Sequence, residues 1–274
     1  MGADNPPPVT TEKNVPPKHV GNTHLPADFP TVTHTPSELE DVLLCGPLLR
    51  YTGTDYTAAQ PAWSGSVFVV TRDDAPPSIS VQDGAAGPPV ELWHERGRRF
   101  WRFAVTTVLE EEQHRVGYEI TINGAVLTRE FYVPGREETM RIMFHSCNGF
   151  SVGSDEDSYS GPALWNDVLR IHAENPFHVM LGGGDQVYND GVRVSGPLKE
   201  WTNIKNPIRR GKYPWTETLE KESDEWYARN YMDWYSTKPF VHANAQIPQV
   251  NIWDDVSGPP GVKDRRGVLI LGVA

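Results

Sequence analysis

The 274-residue sequence is poor in cysteine, with only Cys45 and Cys147, far apart. No disulfide framework can be read from such a pair. No run approaches the ~20 apolar residues of a membrane-spanning helix. The opening stretch MGADNPPPVTTEKNVPPKH lacks the apolar core of a secretory signal. It also lacks the Ser or Thr that N-myristoylation expects near the start. Positive charge is scarce, and the formal net charge is −11. A nucleic-acid footprint is therefore not expected, and a polyanionic partner would need a metal or a local basic cluster. No Gly-Lys-Ser/Thr follows the triple glycine Gly182-Gly183-Gly184, which argues against a P-loop. These absences lead to the expectation of a cytoplasmic protein with no membrane span.

Apolar residues make up 38% of the chain, with ten Tyr and nine Trp, enough to build a substantial core. Residues 1–37, rich in Pro, Thr and His, read as an irregular or disordered arm. Residues 38–135 carry short runs of β-branched and aromatic residues, among them GSVFVVT, RFWRFAVTTV, HRVGYEITING and VLTREFYV. Asn123-Gly124 is a hairpin signal between two of them. This span reads as an antiparallel, β-sandwich-like domain with Trp63, Phe100 and Trp101 in its core. After VPGREETM the pattern changes. RIMFH, FHVMLGG and IPQVNIW read as strands. Between them lie a helix with Leu164, Val168, Ile171 and His172 at helical spacing and a longer one rich in Trp and Tyr. Alternation of strand and helix is the signature of an α/β unit with a largely parallel sheet. This unit is assigned to residues 136–255, leaving a tail at 256–274.

All three strands of the second unit end in groups that bind metals. The first runs into Ser146-Cys147-Asn148, the second into Asp185, Tyr188 and Asp190, and the third into Asp254-Asp255. In open α/β sheets, ligands bind at the carboxyl ends of the strands. Carboxylates suit Ca²⁺, Mg²⁺ or Mn²⁺, whereas a thiolate with a phenolate suits a ferric or zinc ion. The mixed set points to more than one metal, as in two-metal phosphoryl transfer. Each element also has a bland reading: a lone Cys147 is more often a buried thiol, Asp185 an ordinary turn residue, and Asp254-Asp255 a helix cap. The order of the three strand ends carries the argument.

HSCN, GGGDQVYND and NIWDD, in that order, resemble the blocks of the PhoD-like (alkaline phosphatase D) metallophosphatases, in particular their fungal-type branch. The resemblance covers about residues 43–255. It implies phosphoester hydrolysis at a centre of divalent ions with a ferric ion among the candidates (Ca or Mn with Fe or Zn). It also implies a β + α/β fold, in which the β domain precedes the first part of a metallophosphatase αββα sandwich. By the same resemblance Cys147, Asp185, Tyr188, Asp254 and Asp255 are candidate ligands, with Asp185 bridging. Asp185 and Asn148 are the catalytic candidates, and Asp190 supports the ligands from behind. The family's third block continues to a histidine, where this sequence has Val256-Ser257. Val-Ser can be encoded by GTG-AGT, which also reads as an intron donor. The expectation is therefore a C-terminally truncated, poorly active form, with a tail that makes few packed contacts. A non-catalytic interaction module or pseudoenzyme using the β domain is the alternative, and an unrelated α/β binding protein the third reading.

Overall fold

A computed structural model describes residues 39, 41–72, 75–150, 154–155, 158 and 162–252. The arm 1–37, the tail 256–274 and the candidates Asp254 and Asp255 lie outside them. The described strands are β1 (Leu43–Asp55), β2 (Ala62–Thr71), β3 (Ser78–Val81), β4 (Gly84–Ala86), β5 (Val90–Glu95) and β6 (Arg98–Val108). They continue with β7 (His114–Ile122), β8 (Ala125–Val133), β9 (Ile142–His145), β10 (Val179–Gly182) and β11 (Gln249–Asn251). The helices are α1 (Ala163–Glu174), α2 (Gly191–Val194), α3 (Lys199–Asn203), α4 (Pro207–Gly211), α5 (Glu217–Tyr235) and α6 (Phe240–Gln246).

The architecture is mixed α/β, with most strands in antiparallel or mixed sheets. An eight-stranded sheet has the order β4-β6-β2-β1-β11-β10-β9, with β5 also paired to β6. The strands β9, β10 and β11 are mutually parallel, and β11 joins β1 in parallel through Arg50 and Gln249. A separate sheet has the order β3-β7-β8. Asn123 and Gly124, with φ of 50° and 82°, close the β7–β8 hairpin as a turn that needs two left-handed residues.

The alternation in β6 explains how the layers stack. Phe103, Val105 and Thr107 are buried, while Arg102, Ala104, Thr106 and Val108 are exposed. At its start, however, Phe100 and Trp101 are both buried, because this end of the sheet is covered on both faces. Trp101 joins a core of residues 39–133, in which Leu49, Trp63, Val67 and Phe103 meet Tyr118, Ile120 and Phe131 from the smaller sheet. Phe100 joins a second core, in which Leu48, Phe68 and Val70 meet Tyr227, Tyr231, Met232, Trp234 and Tyr235 of α5. The eight-stranded sheet and this second core thus both draw on residues before and after position 135. The phenol of Tyr118 adds a further link, donating to the Ala245 carbonyl at 2.7 Å.

In α1 the buried residues are Leu169 and His172, with Trp165 and Val168 packed beside them. Leu164, expected on the same stripe, is 83% exposed. The inward face is set by Trp165 and Leu169, which are four residues apart.

Two buried histidines, His172 and His178, and the half-buried His242 make stability depend on pH. His172 accepts from the Phe177 N–H at 2.9 Å, and His178 accepts from the Arg141 N–H at 3.0 Å. Burial pushes His172, His178 and His242 down to about 4. Unfolded, each would protonate near about 6.5. Between these values the unfolded chain holds more protons than the folded one, so stability falls as pH falls through this window. It is fully present above about 6.5. Urea midpoints measured across this range should drop toward acid. A midpoint unchanged down to pH about 4 would contradict the burial of these rings as neutral bases.

Candidate metal centre

The register of the parallel strands sets all three predicted strand ends level, and the described donors of the first two meet there. Gly182 of β10 pairs with His145 of β9 and with Asn251 of β11. The chain leaves all three strands at the same level, and Ile252 is still held by donation to the Gly182 carbonyl at 2.9 Å. The first two loops are stitched along their length. Gly183 N–H donates to the His145 carbonyl at 2.7 Å, Cys147 N–H to Gly184 at 3.1 Å, and Asn148 N–H to Asp185 at 2.8 Å.

The three glycines do three different things. Only Gly184 takes a positive φ, of 120°. A Cβ on Gly183 would meet the Phe144 ring at 2.6 Å, and one on Gly182 would overlap the Asn251 and Gln186 side chains. Cys147 and Asp185 themselves take φ of 60° and 55°. Left-handed backbone on a residue other than glycine costs roughly 1–3 kcal/mol and clusters at functional sites. Here it occurs twice, on facing residues of neighbouring loops.

The result is a compact set of donors. The Cys147 thiol faces the Asp185 carboxylate, with Sγ 3.9 Å from Oδ2. The Tyr188 hydroxyl is raised above the ordinary phenol range. Burial is the main cause, followed by its hydrogen bond to Cys147 and the negative charges of Asp185, Cys147 and Asp190. Cys147 is the exposed cysteine, whereas buried Cys45 is pushed up to about 12 by desolvation. Among the described residues, no group of three or more His, Cys, Asp and Glu converges. The third donor beside Cys147 and Asp185 is a phenol. A soft sulfur and a hard carboxylate 3.9 Å apart, with a phenol beside them, are the donor types that metal cations take. The set therefore fits a bound metal.

Asn148 has both ends of its amide engaged. Its Oδ1 accepts from the Trp165 indole at 2.7 Å, and its Nδ2 donates to the Gln186 carbonyl at 3.2 Å. This ties the two loops to α1. Asp190 accepts from Arg193 at 2.6 Å, where the chain enters α2. His145 stands edge-on to Trp165 at 5.0 Å. Neither of its ring nitrogens has a hydrogen-bond partner among the described residues, and burial pushes it down to about 4.

Sequence reasoning missed the residues that hold Tyr188. Asn230 of α5 donates to the Tyr188 carbonyl at 3.0 Å and to Asn189 Oδ1 at 2.9 Å. The Trp234 ring lies 5.7 Å from that of Tyr188. On the other side, a Cβ on Gly149 would stand 3.1 Å from Tyr188 Cε2. The available signal was a buried asparagine within the aromatic stripe of α5, three residues after Tyr227 and four before Trp234. Gly149→Ala should displace the Tyr188 ring, and Asn230→Ala should loosen its loop. Fluorine NMR of a fluorotyrosine placed at position 188 should show a shifted resonance in both variants. A resonance identical to that of the parent chain would show that these residues do not hold the ring.

Residues 107–258 match the family described as PhoD related phosphatase. The chain belongs to this family. It is also 29% identical, over 248 aligned residues, to "Uncharacterized protein YGR266W" of Saccharomyces cerevisiae (strain ATCC 204508 / S288c). That alignment covers 78% of this chain and 35% of the yeast protein, so the chain spans about a third of the length of the curated relative it matches.

Proposed function

We propose that the chain carries part of a metal-dependent centre for phosphoester hydrolysis. The observation that carries this is the Cys147–Asp185 pair, held in left-handed backbone at the ends of adjacent parallel strands with Sγ 3.9 Å from Oδ2. The family match supports a phosphatase-like activity and favours it over a non-catalytic interaction module.

In this reading Cys147, Asp185 and Tyr188 hold the metal, with Asp185 bridging where two ions bind. Asp254 and Asp255, which follow β11 in sequence, are assigned as further ligands on the strength of the third motif, NIWDD. Divalent ions (Ca or Mn) with Fe or Zn are the candidates. A bound ion supplies Lewis-acid stabilisation of the phosphoryl oxygens and a nucleophilic water at neutral pH. The residues supply position. Asn148 is assigned the loop-holding role that its two hydrogen bonds support, and Asp190 anchors the far end of the loop. The same proposal divides the labour along the chain. Residues 38–135 form a sandwich-like scaffold, and residues 136–255 form the site-bearing part of a metallophosphatase fold.

Hydrolysis of p-nitrophenyl phosphate and of its bis-ester, after dialysis against each candidate metal, tests the reading and separates monoesterase from diesterase action. Metal-dependent turnover that chelation abolishes is expected. Turnover indifferent to chelator, or none with any metal, would contradict it.

A further inference from the structure

The net charge of −11 conceals a local reversal. Residues 199–215 hold five basic side chains, Lys199, Lys205, Arg209, Arg210 and Lys212, against one acidic, Glu200. The span is built as a compact knot. Arg210 is consumed by that construction, donating to the Ile204 carbonyl at 2.9 Å and the Thr202 carbonyl at 3.2 Å and lying over the Trp201 ring. Tyr213 closes the knot onto Glu200 at 3.3 Å, and Asn206 caps α4. One basic residue is thus tied up internally, and the exposed Glu200 leaves the span with a formal charge of +4.

The other four cations, Lys199, Lys205, Arg209 and Lys212, are exposed, and none enters an ion pair among the described residues. Two large apolar side chains lie among and beside them in sequence. Ile208 is 70% exposed and Trp215 53% exposed. Free cations alone would suit any polyanion. Cations with an exposed aliphatic and an indole suit a boundary that is anionic outside and apolar just beneath. Cations meet headgroup phosphates, while Trp and Ile insert at the headgroup level.

We propose that residues 199–215 form a peripheral docking surface for an anionic phospholipid bilayer. A nucleic acid fits less well, because its phosphate backbone offers no apolar layer for the exposed Ile208. The remainder of the chain carries a formal charge of −15 (−11 less the +4 of residues 199–215), which favours this patch as the side turned to a negative membrane. The inference does not rest on the phosphatase reading, because none of the proposed metal ligands lies in the patch.

Flotation with phosphatidylcholine vesicles, with and without phosphatidylserine, tests it on the full chain. Binding is expected only to the phosphatidylserine vesicles, and it should weaken as salt rises. Lys205→Glu/Arg209→Glu/Lys212→Glu should lower the affinity at least about tenfold. Ile208→Ser/Trp215→Ala should lower it further at high salt, where the apolar part remains. All five side chains are exposed, so circular dichroism should be unchanged in both variants. Equal binding to both vesicle types would overturn the proposal. So would an unaltered affinity in the charge-reversed chain, or tight binding to a single-stranded oligonucleotide that ignores Ile208 and Trp215.

Discussion

Asp185→Asn is expected to lower metal-dependent phosphoester hydrolysis by at least about 100-fold, since even residues behind the ligands of a metal site cost about 10–100-fold. Asparagine is the informative replacement. Asp185 sits at φ 55°, and Asn tolerates left-handed backbone about as well as Asp. The loop should therefore keep its shape, and Cys147 should keep its neighbour at the same distance. What disappears is the negative charge that would bridge the ions. Metal content measured alongside turnover should fall with it. Unchanged turnover in Asp185→Asn, with unchanged metal content, would remove Asp185 from the centre.

Trp63→Ala is expected to cost about 3–5 kcal/mol, the range for truncating a buried aromatic. Trp63 is fully buried, with its ring 4.8 Å from that of Phe131 and 6.1 Å from that of Tyr51. It joins the eight-stranded sheet to the β3-β7-β8 sheet, and Gly65 lies under it, where a Cβ would overlap the indole. The loss corresponds to a fall in Tm of about 10 °C. Trp63→Phe should be far milder. An aromatic ring remains, and the buried indole N–H, which has no acceptor among the described residues, is removed. A Trp63→Ala chain within about 1 kcal/mol of the parent in urea unfolding would mean that the two sheets do not depend on this contact.

The local features were legible where the signal was local. Asn123-Gly124 marked the β7–β8 turn, the short β-branched runs marked β2, β6, β7 and β8, and the aromatic stripe marked α5. The family was legible because three motifs stood in order at three strand ends. Long-range pairing was not. Arg50 and Gln249 are neighbours in the sheet, yet nothing near either residue announces a partner so distant in sequence. The supports of Tyr188 were hidden for a related reason. Gly149 matters through a side chain it lacks, and Asn230 through a loop that precedes it by about forty residues. Leu164 misled because helical periodicity gives a spacing but does not say which stripe the sheet will cover.

Zinc K-edge X-ray absorption on the zinc-loaded chain tests the central claim most directly. If Cys147 and Asp185 hold the metal, the parent chain should show a sulfur scatterer at about 2.3 Å among nearer oxygen or nitrogen ligands. Cys147→Ser should lose that shell while keeping the light-atom one. A zinc environment without sulfur in the parent chain, or a sulfur shell that survives Cys147→Ser, would contradict the account.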